Sequence, residues 1–409
     1  MNESIKKIAR IPLVLRILIG LVIGIILGLT LPNVEFIGIL GKLFISALKA
    51  IAPVLVFALI TSSLCDAGKG ISSRFRTVIL LYLVSTLIAA LISVCGSFLF
   101  PITVPLDIVA EDAVAPHSLT DVFTNLLTSM VQNPISSLVN ANYLGILTWS
   151  ILLGLALRKI DYPTKSVMKD LSTGISTIVG WIIQCAPFGI MGIVFTTVST
   201  NGLGIFVSYG KLIILLVACM LVQALLVNPL MVAILLKRNP YPLVFKCLRN
   251  SAITAFFTRS SAANIPVNMK LCEELGLDKN YYSVSIPLGA TINMDGAAIT
   301  IAIMSLAAAN SMGIQVSFPV ALLLCIVSTF AACGASGVAG GSLLLIPMAC
   351  SLLTVPQDVA MQMVSIGFII GVVQDSLETA LNSSSDVLLT ATAEFREQLK
   401  NNKSESKEA

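Results

Sequence analysis

Residues 243–270 read LVFKCLRNSAITAFFTRSSAANIPVNMK. An apolar approach leads into Thr258-Arg259-Ser260-Ser261-Ala262-Ala263-Asn264, and Ile265-Pro266 then opens a second helical run. The stretch is too polar for a plain spanning helix, and basic residues flank both ends, so the chain enters and leaves on one side. That is the pattern of a re-entrant hairpin. A second one lies between Phe318 and Leu353, where two apolar arms flank Cys333-Gly334-Ala335-Ser336-Gly337-Val338-Ala339-Gly340-Gly341-Ser342. Neither of its flanks is basic, which places both ends on the opposite side. Non-helical backbone at membrane depth is tolerated only where it is buried in protein or lines a cavity. Two broken hairpins entering from opposite faces predict a central site closed from both sides, the layout of a secondary transporter. Close packing of small residues explains one such segment; two, each followed by a charged helix, favour function.

The rest of the chain agrees with a bilayer setting. Of 409 residues 56% are hydrophobic and only 11% charged, against about 25% charged in soluble domains. No Asp, Glu, Lys or Arg occurs in Thr77–Leu106, Leu171–Gly210, Leu212–Leu236 or Gly296–Gln357, and several of these tracts exceed the roughly 20 residues that cross the hydrocarbon core. Spanning helices are expected at 12–31, 38–65, 76–101, 143–158, 172–198, 206–236, 281–311 and 358–393. The fold class is therefore an all-α polytopic membrane protein, with eight transmembrane helices and two oppositely oriented re-entrant helical hairpins.

Lys and Arg cluster at 6–16, 69–76, 158–169, 237–249, 270–279 and 396–407, while the connections 31–37, 101–142, 199–205 and 311–357 carry none. This alternation predicts that both termini face the cytoplasm. Basic residues spread over many loops form no single patch, so nucleic acid is not an expected partner. The nine Cys include no C-x-x-C pair and read as buried thiols. Met1–Arg16 leads into an apolar span that reads as a retained first helix. His117, beside Glu111 and Asp112 in an acidic external loop, reads as a solvated residue. Within 101–142 a partly amphipathic piece, 119–139, is interrupted at Pro134. The charged tail Glu394–Ala409 is expected to be disordered.

Val364–Thr392 contains Asp375, Glu378 and Asp386 in an otherwise apolar helix. Each ionised side chain at the bilayer centre costs about 2.5–3.5 kcal/mol on insertion scales, so all three need partners, protons or a cation. Asp375, Thr379, Asn382 and Asp386 are spaced by four, three and four, which puts them on one helical face. The preceding helix contributes Gly289-Ala290-Thr291-Ile292-Asn293-Met294-Asp295-Gly296-Ala297. Its Gly flanks and the β-branched residues around Asn293 invite local unwinding, which frees carbonyl oxygens to join carboxylates around a hard cation. Arg259 is the basic partner available at this depth and is expected to pair with Asp375 or Glu378.

Three segments in this order, Thr258-Arg259-Ser260-Ser261, Asn293-Met294-Asp295-Gly296 and Asp375-x-x-x-Thr379-x-x-Asn382-x-x-x-Asp386, resemble the dicarboxylate/amino acid:cation symporter family. The similarity runs from the first helix to about residue 395. Within the family the chain is most similar to the bacterial serine/threonine:sodium symporters, particularly across Ala255–Met269 and Gln374–Asp386. The resemblance implies inverted repeats and a homotrimer in the cell membrane, with scaffold helices in 1–75 and 102–200. It implies a mobile transport domain made of 76–101 and 201–395, including hairpins 243–275 and 318–353, and a cytoplasmic tail at 396–409. The transport domain would move as an elevator, with the second hairpin as external gate.

By position, the resemblance also implies that Asp375 holds the substrate ammonium, while Asn382 and the backbone near Ser261, Gly337 and Val338 hold its carboxylate. Thr379, Glu378, Met294, Ala297 and Arg259 would line the same pocket. It assigns one sodium to Asp386 with carbonyls of Gly289, Asn293 and Asn382, a second to Tyr82, Ser85, Thr86, Asn293 and Asp295, and a third to carbonyls of Thr291, Ala332, Cys333 and Ala335. Sodium is thus expected as a co-transported ion, with no further cofactor. Acidic-amino-acid members have an Arg where this chain has Glu378, and often a Thr where it has Ala297. A carboxylate at 378 repels Asp or Glu and can accept a hydroxyl proton, which favours serine and threonine as substrates.

Three rivals are weaker. A proton-coupled carrier is possible in principle because Glu378 or Asp375 can take up a proton, but the sodium-type ligands Asp295, Asp386, Tyr82, Ser85 and Thr86 speak against it. An ion channel needs a continuous pore with ligand rings, whereas a pocket between two gates suits alternating access. An enzyme built on Ser260, Ser261 or the Asp pair has no histidine base within the membrane.

Overall fold

The computed structural model describes residues 13–66, 73–106, 127–128, 130–158, 160, 162–335 and 340–408. Every regular element among them is helical. In chain order these are α1 (Leu13–Thr30), α2 (Glu35–Asp66), α3 (Ser73–Leu99), α4 (Pro134–Val139), α5 (Tyr143–Leu157), α6 (Tyr162–Gln184), α7 (Ala186–Asn201), α8 (Ile205–Val222) and α9 (Asn228–Leu236). The first hairpin comprises α10 (Tyr241–Cys247), α11 (Ile253–Thr258) and α12 (Ser261–Glu274). Then come α13 (Lys279–Ile292) and α14 (Asp295–Ser311). The second hairpin comprises α15 (Phe318–Ala332), a 3-10 turn at Ser342–Leu345 and α16 (Ile346–Leu352), and α17 (Gln357–Glu408) ends the chain.

Among the described residues five helical stretches are long and apolar enough to cross a membrane: Phe36–Ser62, Phe75–Leu99, Phe206–Leu236, Lys279–Ser311 and Gln357–Leu399. A sixth is the pair α6 and α7, bent by 53°. Shorter apolar helices are α1, α5, α15 and Ser342–Leu352; the helices of both expected hairpins, 241–274 and 318–332 with 342–352, are broken. The chain is a multi-pass membrane protein.

Three elements depart from expectation. The helix expected at 172–198 begins at Tyr162 and breaks at Cys185, because Pro187 in the first turn of α7 has no N–H to continue the ladder. Hydropathy registers only the apolar part, whereas Tyr162–Asp170 is helical despite Lys165 and Lys169. The helix expected at 281–311 is interrupted at Asn293 (φ −95°, ψ 83°) and Met294 (φ −124°, ψ 53°), the unwinding that the Gly-rich segment foretells. The tail expected to be disordered is instead helical through Glu408. It is rich in Glu, Gln, Lys and Arg, all good helix formers, and Gln398 bonds back to Glu394 one turn earlier.

Between α8 and α9 the chain makes one π turn, Gln223–Val227. Pro229 cannot donate to the carbonyl of Leu225, and a widened turn is a standard response to such a gap. The Tyr241 hydroxyl donates to that carbonyl instead, at 3.3 Å.

Two packing features position the site. α14 is buried from Asp295 to Ala309 and lies against α3, α15 and α17. Around α7 the helices approach closely through small residues. A Cβ on Gly20 would come within 2.2 Å of the Pro187 carbonyl oxygen, and one on Gly24 within 2.6 Å of that of Met191. Small-residue stripes of this kind are how membrane helices reach van der Waals contact. Gly24→Leu is therefore expected to destabilise the protein by about 1–3 kcal/mol, the range for overpacking. Gly180→Leu, where a Cβ meets nothing within 4 Å, serves as the neutral control. Thermal unfolding in detergent checks both, and equal midpoints would count against this packing.

Candidate substrate and cation site

α17 supplies the polar face. Gln374, Asp375, Glu378, Thr379, Asn382 and Asp386 are all buried, as membrane depth demands of groups that need partners. Arg259 ends α11 in a left-handed conformation (φ 52°), its N–H still bonded to the Ala255 carbonyl. That turn aims the guanidinium at Asp375, whose Oδ2 it meets at 2.6 Å. The Gly340 N–H of the second hairpin donates to Oδ1 of the same carboxylate at 3.2 Å. Of the two partners expected for Arg259, Asp375 is the one taken.

Glu378 is held otherwise. Its Oε2 accepts from Thr300 Oγ1 of α14 (2.7 Å), from Ser342 Oγ of the second hairpin (2.9 Å) and from Gln374 Nε2 one turn earlier on α17. Three elements thus converge on one carboxylate with neutral donors. Thr379 turns its hydroxyl back onto the Asp375 carbonyl at 2.8 Å, and Ala297 is fully buried behind the site. Asn382 accepts from the Gly296 N–H at 2.7 Å, while its own amide donates to the Met294 sulfur at 3.4 Å. Sulfur is a weak acceptor, so this donor can be surrendered to a stronger one. Ser261 is buried at the first position of α12, next to the N-cap Ser260. Gly337 and Val338 lie outside the described residues.

The cation candidates separate into two groups. Around Asp386, Asn293 Nδ2 donates to Oδ1 at 2.9 Å and to Ser385 Oγ at 2.7 Å. Gly289 lies so close that a Cβ there would meet Asp386 Oδ1 at 2.7 Å. Asp386 Oδ2 and Asn293 Oδ1 are buried with no hydrogen-bond partner among the described residues. Two unpaired hard oxygens beside backbone carbonyls are what an alkali cation requires. The Tyr82 hydroxyl belongs to this group: it reaches Thr390 Oγ1 (2.7 Å), the Ser285 carbonyl (3.2 Å) and the Asp386 carbonyl (3.3 Å). The Tyr82 carbonyl accepts from Thr86, a member of the second group, at 2.9 Å.

That second group centres on Asp295, fully buried. Ser85 Oγ donates to its Oδ2 at 2.7 Å and Thr86 Oγ1 to its Oδ1 at 3.3 Å. Gln223 and Asn228 complete the shell with amide donors to Oδ2 at 3.3 and 3.4 Å. The third expected set is looser. Thr291 is exposed, with its hydroxyl on the Leu288 carbonyl. Cys333, following α15 and Ala332, touches the Ile292 carbonyl through sulfur, and Ala335 is buried nearby in sequence. Among the described residues no three His, Cys, Asp or Glu side chains form a group; the carboxylates here work singly, each with neutral oxygens.

Sequence reading missed Gln223, Asn228, Thr300, Ser342 and Gln374. Gln223 and Asn228 are five apart, a spacing that an α-helix splays onto different faces and a π turn brings together. It also missed a buried cluster in which Asn264 and Asn268 of α12 and Ser251 of the first arm bond one another and Ser383 of α17. A cavity of about 280 Å³ between Met220, Phe256, Phe257 and Leu381 is almost wholly apolar and lies off this polar face.

The sodium:dicarboxylate symporter family matches residues 13–394. A protein of Bifidobacterium adolescentis named serine/threonine transporter SstT is 56% identical over 389 residues, which cover 95% of this chain and 90% of that relative. Proteins of the same name from Streptococcus agalactiae and Streptococcus thermophilus are 54% and 53% identical over 395 residues, covering 96% of this chain and 98% of each relative. These relationships make the protein a membrane transporter and not an enzyme, and the chain belongs to the sodium:dicarboxylate symporter family.

Proposed function

We propose that the protein carries serine and threonine, as small neutral L-amino acids, into the cell together with sodium. The names of the relatives supply the substrates, and one observation ties them to this chain: the carboxylate of Glu378, buried and wrapped by hydroxyl and amide donors. A fixed anion there repels a second substrate carboxylate and accepts a side-chain hydroxyl. The hydroxymethyl of Ser342 on Glu378 is chemically what a bound serine would present. The Arg259 guanidinium on Asp375 likewise occupies the place of a substrate ammonium. The Asn382 amide, bonded among the described residues only to sulfur, is then the donor for the substrate carboxylate, with Ser261, Gly337, Val338, Thr379, Met294 and Ala297 around it.

In this reading one sodium rides at Asp386 with Gly289, Asn293 and Asn382, and a second at Asp295 with Ser85, Thr86, Asn293 and the Tyr82 carbonyl. A third rides near Thr291, Ala332, Cys333 and Ala335. Residues 76–101 and 201–395 form the moving body of an elevator that slides against a scaffold of 1–75 and 102–200. The assembly is a homotrimer, with both termini and the tail 396–409 in the cytoplasm. Two hairpins of opposite orientation meeting at one polar helix support alternating access.

Labelled serine in proteoliposomes tests the whole. Uptake should require an inward sodium gradient, yield to excess threonine and resist excess aspartate. Uptake driven equally by a pH gradient in sodium-free buffer would overturn it. Glu378→Gln keeps an acceptor oxygen and removes the charge. Because like charges brought together cost several kcal/mol, aspartate should then inhibit serine uptake at concentrations lower by about tenfold or more. Undiminished resistance to aspartate would sink the role of the charge.

A further inference from the structure

Gln223 and Asn228 have no part in the transport scheme above, yet both are buried against Asp295. Ser85 shows why they matter. Its hydroxyl has one proton and two acceptors within reach, Asp295 Oδ2 at 2.7 Å and Asn228 Oδ1 at 3.1 Å. While the proton points at Asp295, the hydroxyl and carboxylate are bonded to each other. A hydroxyl that ligates a cation does so through a lone pair, with its O–H turned away. Without a second acceptor that turn would leave a buried donor unmade. Asn228 Oδ1 is that acceptor, and Gln223 Nε2 fixes its orientation from 3.0 Å. Gln223 also bonds the Ser85 carbonyl and hydroxyl oxygens, and its own Oε1 is buried with no partner among the described residues. The π turn that Pro229 imposes is what delivers both amides to one place.

We infer that Asn228, oriented by Gln223, is a positioning residue for cation binding at Asp295: it takes the Ser85 proton when the ion arrives, freeing the Ser85 oxygen to ligate it. Gln223 Oε1 is a further hard oxygen at the rim of that site. The inference rests on the reading of Asp295 as a sodium site, and the test separates the two.

The full-length protein in detergent, without amino acid, is titrated with NaCl against choline chloride, and the shift in thermal unfolding midpoint gives the apparent sodium affinity. Asn228→Ala should weaken that affinity about tenfold, the worth of one net hydrogen bond to a buried group. In a Ser85→Ala background the same change should add nothing, because the two residues act as one unit. Additive losses or a wild-type response in Asn228→Ala would each overturn the inference. Asp295→Asn addresses the underlying reading. If it leaves the sodium response intact, Asp295 is not a sodium site; if it weakens the response while Asn228→Ala does not, only the role of Asn228 falls.

Discussion

The contact between Arg259 and Asp375 is the constraint around which the rest is arranged. A carboxylate and a guanidinium at membrane depth are tolerable only together, since removing one partner of a buried pair typically costs about 3–5 kcal/mol. To make the contact the first hairpin must end a helix mid-membrane and turn Arg259 into a left-handed conformation, at roughly 1–2 kcal/mol. Breaking that helix exposes backbone, which must be covered, and the covering is done by α17 and by the second arm of the same hairpin. The ion pair, the broken helix and the close approach to α17 are one requirement met in three places.

The neighbouring carboxylate follows different rules. Among the described residues Glu378 meets no guanidinium; its partners come from α14, the second hairpin and its own helix, and all are neutral. Two acids three residues apart are therefore separated by environment, one matched to a cation and one to hydroxyl and amide donors. That difference sets what each can exchange for, and it is a property of surroundings that no single helix encodes.

Much of this was readable from the residues. Asn293 and Met294 unwind where Gly flanks and an intramembrane acid coincide, and both hairpins stand where apolar arms enclose polar or Gly-rich turns. What stayed hidden depends on geometry that an α-helical period cannot express. Gln223 and Asn228 share a face only because a π turn intervenes. The break at Cys185 hides in a long apolar tract, where hydropathy is blind to one missing N–H. Whether Arg259 would choose Asp375 or Glu378 is not a matter of composition either, since both lie within a turn of one another. The choice follows from the direction in which a left-handed residue leaves α11.

The two hairpins are fastened unequally. The first is stitched to Ser383 of α17 by Asn264 and Asn268, with Ser251 joining the cluster. These side chains are additional to the Arg259–Asp375 pair, which ties the same hairpin to α17. Among the described residues, the polar bonds from the second hairpin to α17 are Gly340 to Asp375 and Ser342 to Glu378. In the proposed reading, the clasp of the second hairpin is also the docking point for the substrate's ammonium and hydroxyl. A solute that wins those oxygens would then release that hairpin and displace Arg259 as it does so, and the free energy of both changes would be subtracted from its apparent affinity. Tightness of binding and ease of release would become a single adjustable quantity, set by those two hydrogen bonds and the ion pair.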